Sequence, residues 1–205
     1  MNNSVELLGH YGGDKTHAMS AWTSTSRDYE TKKTRMPALL KRLAEDGHHT
    51  PFEKSTLHFL VRCDTASHIH LLKHRIGVSI NGESARYKEL AEDNCYVPHD
   101  WSPAWQDLFK EHTIACYRLY HDALSELVAQ GMSRKRAKES ARYFLPYANQ
   151  LTLDVSFNFR SFMHFLKLRL APEAQNEIAE IASDMLWCVR DTGDFEHSLR
   201  GFGHV

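Results

Sequence analysis

Between Leu151 and Leu170 the sequence changes its period once, abruptly. In LTLDVSFNF (151–159), Leu151, Leu153, Val155, Phe157 and Phe159 alternate strictly with polar residues. That is the pattern of a strand with one buried face. The next residues, RSFMHFLKLRL, read as a helix. A second alternating segment, STLHFLVRCD (55–64), sets Leu57, Phe59 and Val61 against His58 and Arg62. Half-buried strands need a covering layer, and the chain supplies helical patterns for it. Residues 34–47 carry a Leu39, Leu40, Leu43 stripe that stops at Gly47. Asp64 or Thr65 can cap a helix over 65–75. Ser102-Pro103 opens a long helix over 103–130 that Gly131 ends. Ser133 caps RKRAKESARYFL, which stops near Pro146. Pro172 opens a last helix with Ala174, Ile178, Ile181, Met185 and Val189 at helical spacing. Gly77 and Gly82 predict a loop over 76–87. Strands and helices mix without regular alternation, so the fold class is α+β. No linker divides the 205 residues, which are expected to form a single domain over 1–205.

A net charge of −1 argues against a broad nucleic-acid surface, although it permits a local basic pocket. No segment has the length and apolarity of a membrane span. The N-terminus lacks the pattern of a signal peptide. Cys63, Cys95, Cys116 and Cys188 are widely spaced and read as reduced thiols of a cytoplasmic protein. His70 and His74 have the i, i+4 spacing of a metal pair, but no third ligand follows at a recognisable distance, so no metal site is expected.

The segment KHRIGVSINGESARY (73–87) concentrates function. Lys73, His74 and Arg75 suit the C-terminal end of a helix. The following Ser79, Asn81, Ser84 and Arg86 add hydroxyl, amide and guanidinium donors on a glycine-permitted loop. Such a loop can grip phosphate oxygens. No GxxxxGK[ST], GxGxxG or GxSxG occurs, and none of the cysteines sits in a recognisable catalytic stretch.

This segment resembles the signature of the flavin-dependent thymidylate synthases. Three further ordered blocks share the resemblance: GHHTPFE (47–53), SARYFLP (140–146) and NFRSFMHFLKLRLAPEAQNEI (158–178). The resemblance implies reductive methylation of dUMP to dTMP. Methylenetetrahydrofolate gives the carbon, reduced FAD gives the hydride and NADPH reduces the FAD. It also implies a homotetramer with active sites shared between subunits.

By position, the resemblance assigns Thr50, Lys73, His74, Arg75, Glu83, Asn158, Arg160 and His164 to FAD. It assigns His70, Lys73, Ser84, Ala85, Arg86, Arg142 and Arg169 to dUMP, with the 84–86 loop reaching in from a neighbouring subunit. Arg169 is the implied catalytic residue, polarising the uracil so that C5 becomes nucleophilic. The chain departs from the family pattern at several of these positions. Lys73 replaces an arginine and cannot form its fork. The spacing from Arg75 to Ser84 is one residue longer, and Gly82 stands where glutamate is usual, with Glu83 beside it. His70 replaces a glutamine, His164 an asparagine, and Glu173 a common histidine. An altered product such as a hydroxymethylated nucleotide, another pyrimidine nucleotide, or an inactive nucleotide-binding homologue are the alternatives.

Overall fold

The computed structural model describes residues 2–90 and 94–204. In chain order the elements are β1 (Ser4–Tyr11), α1 (Asp14–Trp22), α2 (Tyr29–Lys32), α3 (Met36–Glu45), β2 (Thr56–Asp64), α4 (Thr65–Leu72), β3 (Val78–Gly82), α5 (Pro103–Ala129), α6 (Arg134–Ala141), β4 (Gln150–Asn158), α7 (Phe159–Arg169), α8 (Asn176–Asp191) and α9 (Glu196–Gly201). A 3₁₀ turn, Thr50–Lys54, precedes β2, and another, Arg142–Phe144, follows α6. The strands form one sheet in the order β1-β2-β4-β3. The fold is α+β.

The loop expected over 76–87 contains a strand. β3 runs antiparallel to β4, flanked by Asn158 N–H donating to Gly77 O (2.8 Å) and Glu83 N–H donating to Thr152 O (2.8 Å). A ladder partner far along the chain overrode the local turn signals of VSING. Helix 65–75 ends early, at Leu72, so His74 lies beyond it and the i, i+4 pairing with His70 does not form on one helical face. The cap is Asp64, whose carboxylate accepts from Ser67 N–H (2.9 Å) and Ser67 Oγ (2.7 Å).

The chain divides into two compact units. One comprises Met1–Ser4, Arg62–Leu71 and Asn81–Leu153. Within it Tyr120 and Leu124 of α5 pack on Ala137 and Ala141 of α6. The Ser133 hydroxyl accepts from Arg136 N–H (3.4 Å), as its position before α6 predicts.

The other unit comprises Val5–Val61, Leu72–Ile80 and Asp154–Val205. Its core is phenylalanine: Phe52, Phe59, Phe157, Phe159, Phe162 and Phe165 are all fully buried. Each such burial contributes about 1.5–3 kcal/mol. Phe159 stacks on Phe195 with ring centres 5.2 Å apart. The change of period at Phe159 is thus the point where β4 becomes α7, with both faces on one core.

No element was legible in the sequence before residue 34. The buried face of α1 is Asp14, His17, Ala18 and Trp22, half of it polar, so no apolar stripe announces it. Its polar members form a closed network. Asp14 accepts from Ser198 Oγ (2.5 Å) and from the N–H groups of His197 (2.7 Å) and Ser198 (2.8 Å). Ser198 Oγ, having donated its proton, accepts from His17 Nδ1 (2.8 Å), and His17 Nε2 then accepts from Ser55 Oγ (2.7 Å). His17 is therefore neutral, and burial pushes its pKa down to about 3. A folded-state pKa below the unfolded one stabilises the fold above the unfolded pKa, and that stability is lost as pH falls toward 3. Between pH 7 and pH 5 His17 alone should cost about 2 kcal/mol of unfolding free energy. Urea unfolding at the two pH values, compared with His17→Gln, checks this. The variant should lose about 2 kcal/mol less than the parent over that interval.

Candidate active site

The site begins at Asn158. Its side-chain oxygen caps α7 by accepting from Ser161 N–H (2.8 Å), while its own N–H donates to Gly77 O. The turn after Lys73-His74-Arg75 thereby rests on the start of α7. Gly77 has φ +64°, and a Cβ there would lie 2.2 Å from Asn158 Nδ2 and 2.5 Å from Ser161 Oγ. No side chain fits.

This arrangement opens a cavity of about 960 Å³ in the phenylalanine-cored unit. Lys73, His74 and Arg75 line it from one segment. Arg160, His164 and Lys167 line it from one face of α7, at spacings of four and three, and Arg169 lines it from the last residue of that helix. Among the described residues of the wall, Lys73, Arg75, Arg160, Lys167 and Arg169 are cationic and Glu53 is the one carboxylate. Glu53 is paired with Arg160, an ion pair exposed enough to add little stability. The cavity is a field of positive charge with apolar patches from Ile76, Val78, Met163 and Leu168.

Arg169 is the most constrained of these cations. Its Nε donates to His74 Nε2 (3.1 Å). Guanidinium can only donate, so that imidazole nitrogen must be unprotonated. The His74 ring is buried and held edge-on against Phe165, with ring centres 5.1 Å apart. The His164 ring also lies edge-on to the His74 ring, with ring centres 6.2 Å apart. A neutral acceptor fixes the guanidinium without cancelling its charge. Burial lowers the Arg169 pKa from the ordinary value, the signature of a cation held partly out of water.

Of the residues assigned by resemblance, Lys73, His74, Arg75, Asn158, Arg160, His164 and Arg169 meet at this one cavity. Asn158 has a structural duty as well, the cap. Thr50 opens the 3₁₀ turn of the same unit, exposed, and is not part of the wall. His70, Glu83, Ser84, Ala85, Arg86 and Arg142 belong to the other unit. There Arg86 Nε donates to Glu139 Oε1 (2.8 Å), and this pairing raises the arginine pKa and lowers that of the glutamate. Lys138 Nζ donates to Tyr87 O (2.7 Å), so the Ser84–Lys88 turn is tied to α6. Arg142 is exposed at the end of α6. Glu83 is bound to Lys88 and accepts from Thr152 N–H (3.2 Å), a structural position on the sheet edge.

Sequence reasoning missed His49, Lys167, Phe202 and His204. Lys167 could have been found from its helical spacing to Arg160 and His164. The C-terminal pair carried no signal, because its place depends on how α9 folds back within its unit.

A cationic cavity of this volume, with an arginine held by a neutral histidine, has the charge and size to accept a phosphate-bearing ligand. The thymidylate synthase complementing protein family model matches residues 6–192. A flavin-dependent thymidylate synthase of Streptomyces avermitilis is 32% identical over 202 residues, covering 88% of this chain and 78% of the relative. One from Thermosipho africanus is 31% identical over 193 residues, covering 87% and 82%. The crystal structure of the UMP/dUMP methylase PolB from Streptomyces cacaoi, bound with 5-Br dUMP, superposes with a TM-score of 0.78 at 25% identity, covering 98% of this chain and 95% of that one. The chain belongs to the flavin-dependent thymidylate synthase family.

Gly77→Ala should destabilise the protein by about 1–3 kcal/mol, from the positive φ and the forced contact with the cap. The urea midpoint measures it. A midpoint equal to the parent's would mean that the turn does not rest on α7 as described.

Proposed function

We propose that this chain converts dUMP to dTMP, taking the carbon from methylenetetrahydrofolate. FAD, when bound, supplies the hydride that reduces the transferred methylene to methyl, and NADPH reduces the flavin. The observation that carries the reading is the Arg169–His74 pair within the cationic cavity. The volume and charge of that cavity fit a dinucleotide: Lys73, His74, Arg75, Asn158 and Arg160 would hold FAD, with His164 beside the ring system.

Arg169 acts on the uracil. Reaction at C5 places negative charge on the ring oxygens, and a fixed, partly desolvated guanidinium stabilises it better than water does. The neutral His74 keeps the fork oriented before substrate arrives. Lys73 supplies charge at a neighbouring point but no second fork. Ser84, Ala85, Arg86 and Arg142, with His70, bind the nucleotide, and Glu139 holds Arg86 ready. Glu83 stays in the sheet. The chain acts as one domain in a cytoplasmic homotetramer, with the Ser84–Arg86 turn serving a neighbouring subunit's site. The likeness to a UMP/dUMP methylase supports a second reading, in which UMP is the nucleotide accepted.

Incubation with dUMP or UMP, methylenetetrahydrofolate, NADPH and FAD, followed by mass analysis, separates the readings. Methylated dUMP is expected. A hydroxymethylated product, methylated UMP alone, or no product would each overturn it. Arg169→Ala should slow oxidation of the reduced flavin by dUMP and methylenetetrahydrofolate by about 10²–10³. Its reduction by NADPH should change much less. Arg169→Lys should not rescue, because it lacks the planar fork. Stopped-flow absorbance follows both half-reactions, and normal oxidation in Arg169→Ala would remove Arg169 from the chemistry.

A further inference from the structure

Helix α5 carries a thiol–imidazole pair that the proposed chemistry leaves unused. Cys116 Sγ lies 3.4 Å from His112 Nε2, one helical turn earlier. The thiol can donate to that nitrogen and pass its proton to it. His112 is exposed and Cys116 is partly so. Reactive cysteines stand in such places, beside a base and within reach of solvent. Two other thiols do not. Cys63 is sealed in the core, where burial pushes its pKa up to about 12, and burial also raises that of Cys188.

The fourth thiol faces the same turn of α5. Cys95 pairs with Asn149 in an isolated antiparallel bridge, flanked by Gln150 N–H donating to Asn94 O (2.7 Å) and Tyr96 N–H donating to Ala148 O (2.8 Å). Tyr117 Oη donates to Asn149 Oδ1 (2.5 Å) and ties that bridge to the helix. Cys95 packs with Leu90 and Tyr117 in one buried cluster. Its thiol is within hydrogen-bond reach of the Tyr117 and Thr113 hydroxyls. Thr113, Cys116 and Tyr117 are i, i+3 and i+4, so Cys116 borders the ridge on which Cys95 rests. Burial raises the Cys95 pKa, and a charge on Cys116 raises it further. Cys95 is therefore a protonated thiol beside a sulfur that has a base.

We propose that Cys116 is a site of modification by peroxide, with His112 as its base and Cys95 as the thiol that resolves it. His112 takes the Cys116 proton. The thiolate sulfur attacks one oxygen of hydrogen peroxide, the O–O bond breaks, and the departing hydroxide takes the proton from His112 and leaves as water. The sulfur is oxidised to a sulfenic acid and the peroxide is reduced. The Cys95 sulfur then displaces the hydroxyl, which leaves with the Cys95 proton as a second water, and a disulfide joins the two residues. A thiol reductant restores both. Transient disulfides of this kind are the ones a reducing compartment permits. The cluster around Cys95 also packs Ala85. The bond would fasten α5 to the floor of the Ser84–Lys88 turn, whose nucleotide role is proposed above.

The test exposes the full chain to hydrogen peroxide, alkylates the remaining thiols with iodoacetamide and follows each cysteine by peptide mass mapping. Cys116 should lose its label first. A peptide pair joined through Cys95 and Cys116 should appear, lighter by two hydrogens than the sum of its parts, and dithiothreitol should separate it. Cys95→Ser should stop at a sulfenic acid on Cys116 that dimedone traps. His112→Ala, a change at an exposed position, should slow the loss of the Cys116 label about tenfold, because an unassisted thiol is only a few per cent thiolate at neutral pH. Cys63 or Cys188 oxidised as fast as Cys116, or a His112→Ala rate equal to the parent's, would overturn the proposal. So would a disulfide from Cys116 to any cysteine other than Cys95 of the same chain.

Discussion

Everything at the site depends on one residue's two hydrogen bonds. Asn158 is the last residue of β4 and the cap of α7. Its side chain satisfies an orphan N–H of the helix, and its backbone N–H takes the Gly77 carbonyl. Strand, helix and the turn after Arg75 are thereby fixed at a single point. The phenylalanines on either side of the junction, Phe157 and Phe159, bury it in the core. The register of α7 follows, and with it the face that carries Arg160, His164 and Lys167 and the position of Arg169 at the helix end. An error at Asn158 would rotate every one of these side chains.

Electrostatics then separates the cations by duty. Arg86 and Arg160 are each paired with a carboxylate, which positions them but offsets their charge. Arg169 is held by an imidazole nitrogen, which positions it without doing so. The desolvation that depresses its pKa also strengthens its interaction with any charge that develops nearby. Such a cation is costly in the empty cavity and useful in the filled one, the expected compromise at a binding site.

Much of this was legible in the sequence. The switch of period at Phe159 located β4 and α7 to within a residue, because alternation and helical spacing are set by backbone geometry alone. Seven of the residues that resemblance named for ligand binding do line the cavity. The strand β3 was not legible, since its partner lies some seventy positions away in sequence. The N-terminal helix was hidden because it buries Asp14 and His17, polar residues whose partner Ser198 lies near the other end of the chain. The place of Phe202 beside His49 in the cavity was hidden for the same reason: the two meet only through the packing of α9 on α3.

The central claim is that the cationic cavity is a flavin site, and the contents of the purified protein test it most directly. Protein denatured after purification, or after incubation with FAD and removal of the excess, should release a compound with a flavin spectrum and the mass of FAD. Lys73, Arg75 and Arg160 changed together to Ala should abolish that retention in a chain that still melts cooperatively. A colourless protein that retains no FAD, or a triple variant that retains it as well as the parent, would contradict the account.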